Sequence, residues 1–183
     1  MKPRSPRPFL LAILSGCLGL AALLSAHAQD PATDDANAVA TEHVRVSWTD
    51  TDNFAETRES RGRGLASTDL LLQQLGKHLS KRAERQLAPG QRLDVRFTDL
   101  KLAGGFEPWH GPQYNDVRII KDIYPPRMEL SFTLTAADGS VIASGDRKLR
   151  DMGFLTHSTV NSTDNLRYEK RMLDDWLRRE FSR

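Results

Sequence analysis

The sequence predicts an α+β domain in which two amphipathic helices cover one face of a small, antiparallel-rich sheet of about four strands. Three patterns lead to this fold class. Apolar and polar residues alternate over 127–149 on both sides of Asp138-Gly139, a turn pair typical of β-hairpins. Leucines recur at every fourth position within 67–88, and a second stretch with helical spacing covers 163–181. The predicted order of elements is β-α-β-β-β-α.

The strand that opens the domain is predicted over 44–48, where Val44, Val46 and Trp48 alternate with polar residues. The stretch 49–64 is polar and ends in two glycine-containing pairs, which predicts a long loop. The strand and the first helix are therefore expected to be separated by irregular chain.

The first helix has recognisable ends, because Ser67 or Thr68 can cap its N-terminus and Pro89-Gly90 stops it. Alternation starts again at Leu93 but slips at Thr98-Asp99. A slip of this kind predicts a β-bulge, which would re-aim the Asp99 side chain.

The first 28 residues have the three parts of a secretory signal, namely a basic start, an apolar run and the small-x-small site Ala26-His27-Ala28. We therefore predict cleavage after Ala28. The apolar run 9–24 has 16 residues, which is too short for a stable membrane-spanning helix. In an alternative interpretation, Leu14-Ser15-Gly16-Cys17 is a lipobox, and acylation of Cys17 would make the protein an outer-membrane lipoprotein.

The segment 29–42 lacks apolar periodicity and predicts a flexible leader, whereas 43–183 is predicted to form a single globular domain. Removing residues 1–28 takes away the only cysteine and three basic residues, so the formal net charge changes from +2 to −1. The cleaved chain cannot form disulfides or zinc–cysteine sites, and its charge gives no reason to expect a nucleic-acid partner.

Five stretches of the chain carry a family resemblance. They are VSWTD at 46–50, FTDLKLAGGFEPW at 97–109, DVRIIKDIYPPRMELSF at 116–132, LRDMGF at 149–154 and LRYEKRMLDDWLRREF at 166–181. With these stretches the chain resembles a family of bacterial secreted proteins classed as a domain of unknown function, number 3016. The resemblance implies export to the cell envelope, but it supplies no activity and no functional residues.

The segment 106–126 collects the groups best suited to binding. Aromatic rings and charged donors on one loop are typical of surfaces that recognise a protein, a peptide or a glycan. The candidate binding residues are Trp109, His110, Tyr114, Arg118, Lys121 and Tyr124. A purely structural interpretation has Val117, Ile119 and Ile120 attaching the loop to the core, with Tyr124-Pro125-Pro126 stiffening the entry into the next strand.

The sequence lacks the common hydrolase, nucleotide-binding and zinc-protease motifs. The weak catalytic candidates are His110 with Asp99 or Asp151, since paired carboxylates or a carboxylate with a histidine can act as acid and base. The interpretation that we favour for both aspartates is a salt bridge to an arginine. The acidic run 50–53 lacks the glycine and glutamate of a calcium loop, and we predict neither a metal nor a cofactor.

These observations give two functional hypotheses. The first is a periplasmic or secreted, non-enzymatic module that binds an envelope protein or glycan through the 106–126 loop. The alternative is a hydrolase that acts on an envelope polymer.

Overall fold

A computed structural model describes residues 37–156 and 163–181, and in these residues it confirms the α+β class. The strands are β1 (Asn37–Ala40), β2 (Val44–Trp48), β3 (Arg92–Lys101), β4 (Gly105–Phe106), β5 (Arg118–Ile119), β6 (Arg127–Thr135) and β7 (Val141–Arg150). The helices are α1 (Ala55–Ser60), α2 (Thr68–Ala83) and α3 (Arg167–Phe181).

The main sheet has five strands in the order β1-β2-β3-β6-β7, and β4 pairs with β5 in a separate two-stranded sheet. The β2–β3 pair is parallel, with α2 as its crossover, whereas the other pairs are antiparallel. The prediction of about four strands and two helices is therefore corrected to a mixed five-stranded sheet, a second small sheet and a third helix.

The extra strand and helix lie in stretches that the sequence analysis assigned to irregular chain. β1 falls inside the predicted flexible leader 29–42, and it forms by pairing Asn37–Ala40 with β2. α1 falls inside the predicted loop 49–64 and is six residues long, too short for a helical pattern to stand out. Residues 29–36, and the predicted signal with Cys17 and Ala28, lie outside the described residues.

The predicted first helix, hairpin and bulge are confirmed, except that α2 ends at Ala83, before the predicted stop at Pro89-Gly90. Ser67 caps α2 by accepting a hydrogen bond from the Leu70 amide. The register of β3 against β6 shifts between Phe97 and Asp99. The Asp99 carboxylate then accepts a 2.6 Å hydrogen bond from the Ala55 amide, and so caps the N-terminus of α1.

One apolar core joins the sheet to α2 and α3. β3 and β6 alternate between buried and more exposed residues, so that a single face of the sheet packs on the two helices. Trp176 of α3 contacts Phe132 and Phe181 edge to face. None of the described helices combines the length and the hydropathy that crossing a bilayer requires.

Leu75→Ala should lower the free energy of unfolding by about 2 to 5 kcal/mol, because Leu75 is fully buried in this core and its loss leaves a cavity. Leu70→Ala is the matched control, since Leu70 lies on the same helix with its side chain exposed. Urea unfolding measures both. Equal losses for the two variants would contradict the described orientation of α2.

Candidate binding site around the 106–126 loop

The loop is anchored on the buried carboxylate of Glu107, which is 2% exposed. Lys121 Nζ lies 2.8 Å and 2.7 Å from its two oxygens, and the Tyr124 hydroxyl donates to Oε1 at 3.0 Å. His110 Nε2 lies 2.8 Å from Oε2. Three of the six predicted binding residues thus converge on one acid that the sequence analysis had not singled out.

Glu107 is ionised in this arrangement. The hydrogen bond from Lys121 lowers the pKa of the Glu107 carboxyl, with smaller contributions from Tyr124 and His110, and these outweigh the opposing effect of burial. Burial and the hydrogen bond to Glu107 raise the pKa of Tyr124, so its hydroxyl remains a donor. The negative charge and its donors hold both ends of the loop together.

Close backbone packing at β4 fixes the base of the loop. Gly104 has φ +88°, and a Cβ there would lie 2.9 Å from the Ile119 carbonyl oxygen. A Cβ on Gly105 would lie 3.2 Å from the Tyr124 ring. The glycine pair therefore lets β4 approach β5 and Tyr124.

The outer edge of the loop displays aromatic rings. Trp109 is 69% exposed, and its ring centroid lies 6.1 Å from that of His110. Tyr114 is also exposed and meets His110 edge to face at the same centroid distance. Two short 3₁₀ turns, Pro108–His110 and Pro112–Tyr114, carry these rings. We call Trp109, His110 and Tyr114 the aromatic edge.

The structure corrects the prediction that Val117, Ile119 and Ile120 attach the loop to the core for two of these three residues. Val117 and Ile120 are exposed, and so is Ile123, whereas Ile119 in β5 is half-buried. The attachment is polar instead, through Glu107 and through Arg118, whose Nη2 donates to Glu56.

Arg118 points inward. Its guanidinium and that of Arg63 lie 4.6 Å and 4.3 Å from the centroid of the Phe106 ring. The partner carboxylate, Glu56, is 1% exposed, and its second oxygen accepts a 2.9 Å hydrogen bond from the Leu102 amide. Arg118 is thus a structural cation beneath the loop and not a displayed binding group.

Further charges surround this pair. Lys101 Nζ contacts Glu59 and donates to the Gly104 carbonyl oxygen at 2.8 Å. Glu169 of α3 accepts a 2.7 Å hydrogen bond from the Ala103 amide, while its Oε2 is buried with no partner. We call Glu56, Glu59, Lys101, Arg118 and Glu169 the ionic cluster. Burial raises the pKa of Glu169, and the nearby Glu56 charge adds to this rise.

A cavity of about 460 Å³ lies beside the ionic cluster. Its apolar walls come from the α2 entry, the end of β3, the loop and the start of α3, and include Leu65, Leu71, Leu102, Ala103, Ile120 and Leu166. Glu56, Arg118, Asn165 and Arg167 provide its polar groups. The volume lies in the range of small-molecule sites.

The three catalytic candidates have separate partners. His110 binds Glu107, Asp99 caps α1, and Asp151 Oδ1 accepts a 2.9 Å hydrogen bond from the Gly153 amide. Asp99 and His110 are thus held by a backbone amide and by a glutamate, whereas Asp151 Oδ2 is buried without a hydrogen-bond partner.

One group in the described part of the chain has metal-ligand chemistry, formed by Glu42, His43 and Glu84. His43 Nδ1 lies 2.6 Å from Glu84 Oε1, and Glu84 also bonds Thr41. These contacts join the start of β2 to the end of α2.

Two of the buried acids that the sequence analysis missed have a signal in the sequence. Glu169 lies three residues after Leu166 and four before Leu173, so it sits on the apolar stripe of its helix. Glu107 lies between Phe106 and Pro108, in a stretch that carries the family resemblance. Glu56 lies in a short polar helix and has no such signal.

The chain matches the family described as Protein of unknown function (DUF3016) over residues 42–179, and it belongs to that family. The match includes every residue of the aromatic edge and of the ionic cluster. Neither curated proteins nor solved structures match the chain.

Glu169→Gln should change how stability depends on pH. Because the folded pKa of Glu169 is raised, the wild-type protein takes up a proton on folding, and it loses stability as pH rises from about 4.5 through the folded pKa. The neutral variant lacks this loss, so its free energy of unfolding should increase relative to wild type over that window.

Urea titrations at a series of pH values measure this difference, with Glu129→Gln as the control because Glu129 is a half-exposed acid on β6 that pairs with Lys148. A constant offset between Glu169→Gln and wild type at every pH would contradict the prediction.

Proposed function

We propose that this chain is an exported, non-enzymatic module that binds an envelope protein, and that the aromatic edge of the 106–126 loop is its contact surface. Export is supported by the three-part signal in residues 1–28. The contact surface is supported by the geometry of the loop.

The observation that carries the proposal is the concentration of exposed apolar side chains in the loop. Eleven large hydrophobic residues are exposed in the described parts of the chain, and five of them lie between residues 109 and 123: Trp109, Tyr114, Val117, Ile120 and Ile123. Exposed apolar groups gathered in one segment are typical of protein contact surfaces, and Trp and Tyr are enriched at their energetic centres.

The anchoring of the loop supports the same role. Glu107 ties His110, Lys121 and Tyr124 together beneath the exposed rings. A surface that is already ordered loses less conformational entropy on binding. The aliphatic residues beside the rings favour a protein partner over a glycan, which would use the flat ring faces alone.

Replacing Trp109 and Tyr114 together by alanine should remove most of the binding, with a loss of at least about 2 kcal/mol for residues at the centre of an interface. Crosslinking in envelope extracts identifies the partner, and calorimetry with the purified partner then measures the loss. Met152→Ala is the control, because Met152 is an exposed apolar residue outside the loop. Equal partner binding by the double variant and wild type would refute the proposal, and retention on purified glycan strands alone would assign the edge to a glycan.

Glu107→Gln tests the anchoring without changing the exposed rings. It should weaken partner binding and speed amide hydrogen exchange in 107–124, because the loop loses the charge that holds Lys121 and His110. Unchanged exchange in this segment would show that Glu107 does not order the loop.

One observation favours the alternative hydrolase. The buried Glu107 carboxylate holds the half-exposed His110 ring at 2.8 Å, as an orienting acid holds a general base. Purified protein should then cleave peptidoglycan or glycan fragments, and His110→Ala should abolish the cleavage while Asp151→Ala preserves it. Cleavage that survives His110→Ala would exclude this assignment.

A further inference from the structure

The cavity beside the ionic cluster faces the inner side of the loop, and of the five exposed apolar residues of the loop only Ile120 lines it. Leu65 and Ile120 are exposed at its rim, whereas Leu102, Ala103 and Leu166 form more buried wall. An open apolar cavity of about 460 Å³ has room for a single short apolar chain.

The charged side chains that line the cavity differ in how far their hydrogen-bonding groups are already used. Both oxygens of Glu56 are occupied, one by Arg118 and the other by the Leu102 amide, so this acid is already neutralised. Arg167 donates to the Asp164 carbonyl oxygen and to the Tyr168 hydroxyl, at 3.1 Å and 3.0 Å. A guanidinium has five N–H donors, and these two bonds leave others for an anion. Among the charged residues that line the cavity, Arg118 offsets Glu56, and Arg167 at the start of α3 remains as the cation without a carboxylate partner in the lining.

We propose that this cavity binds a free fatty acid, with the acyl chain against the apolar walls and the carboxylate at Arg167 and Asn165. A fatty acid is ionised above about pH 5, and a charged hydrogen-bond pair is stronger than a neutral one. The proposal does not depend on the aromatic edge binding a partner.

Three ligands with the same alkyl chain and different head groups test whether binding requires a negatively charged head group. Calorimetry below the micelle concentration should show saturable binding of dodecanoate to the full folded domain. Dodecanol should bind roughly tenfold more weakly, because it lacks the charged contact. Dodecyltrimethylammonium should bind more weakly still. No saturable binding of dodecanoate, or equal affinity for all three ligands, would overturn the proposal.

Two substitutions test the location. Ala66→Trp should block the mouth and abolish dodecanoate binding, since Ala66 is an exposed residue of the cavity wall. Arg167→Gln should reduce dodecanoate affinity to that of dodecanol. The matched controls are Ala137→Trp in the hairpin turn and Arg150→Gln at the end of β7, and both should bind as wild type does. Circular dichroism checks folding, and Leu65→Asp at the rim replaces Ala66→Trp if the latter does not fold.

Wild-type affinity in Ala66→Trp, or in Leu65→Asp where it replaces Ala66→Trp, would place dodecanoate elsewhere and overturn the proposal. Wild-type affinity in Arg167→Gln would equally overturn the assignment of the carboxylate. A binding assay with phospholipid vesicles distinguishes a free fatty acid from a membrane surface as the ligand. If Ala66→Trp still binds vesicles but no longer binds dodecanoate, the cavity binds the free acid. If the wild-type protein, Ala66→Trp and Arg167→Gln all bind vesicles and none of the three binds dodecanoate, the proposal fails.

Discussion

The buried ion pair between Glu56 and Arg118 is the contact on which the whole loop region depends. Glu56 belongs to α1 and Arg118 to β5, and the second Glu56 oxygen holds the Leu102 amide at the end of β3. One side chain therefore joins three segments that are far apart in sequence. Both groups are withdrawn from water at a large desolvation cost, which is offset only while each keeps its partner. Removing one partner of such a pair typically costs about 3 to 5 kcal/mol.

The same arrangement divides the loop into two sides with different chemistry. Glu107 and Arg118 take up the charges on the inner side, so the outer side is left with Trp109 and Tyr114. Because the inner contacts are ionic and directional, they fix the geometry of a segment that contains little regular structure. An apolar attachment would have used the aliphatic residues that are now exposed. The loop can therefore present apolar groups to a partner without loosening its own base.

The sequence was sufficient for elements whose signal is local. The β6–β7 hairpin and α2 follow from alternation, turn chemistry and capping within short windows. β1 and the parallel β2–β3 pair depend on neighbours distant in sequence, and α1 depends on Asp99 and Glu56. The candidate site shows the same limit, since exposed Trp109 and Tyr114 follow the prediction whereas the predicted binding residue Arg118 points inward. Nothing in the residues near Arg118 indicates that Glu56 lies beneath it.

The Glu169 contact has a consequence for the biogenesis of the protein. Ala103 is synthesised before α3, but the carboxylate that accepts the hydrogen bond from its amide belongs to that helix. Until α3 docks, that amide and the cavity wall beside it face water, although the hairpin and the Glu107 anchor can already be in place. The cavity therefore cannot reach its final shape before α3 docks. A copy that ends before α3 leaves apolar wall exposed, and cellular quality-control proteases recognise such surfaces.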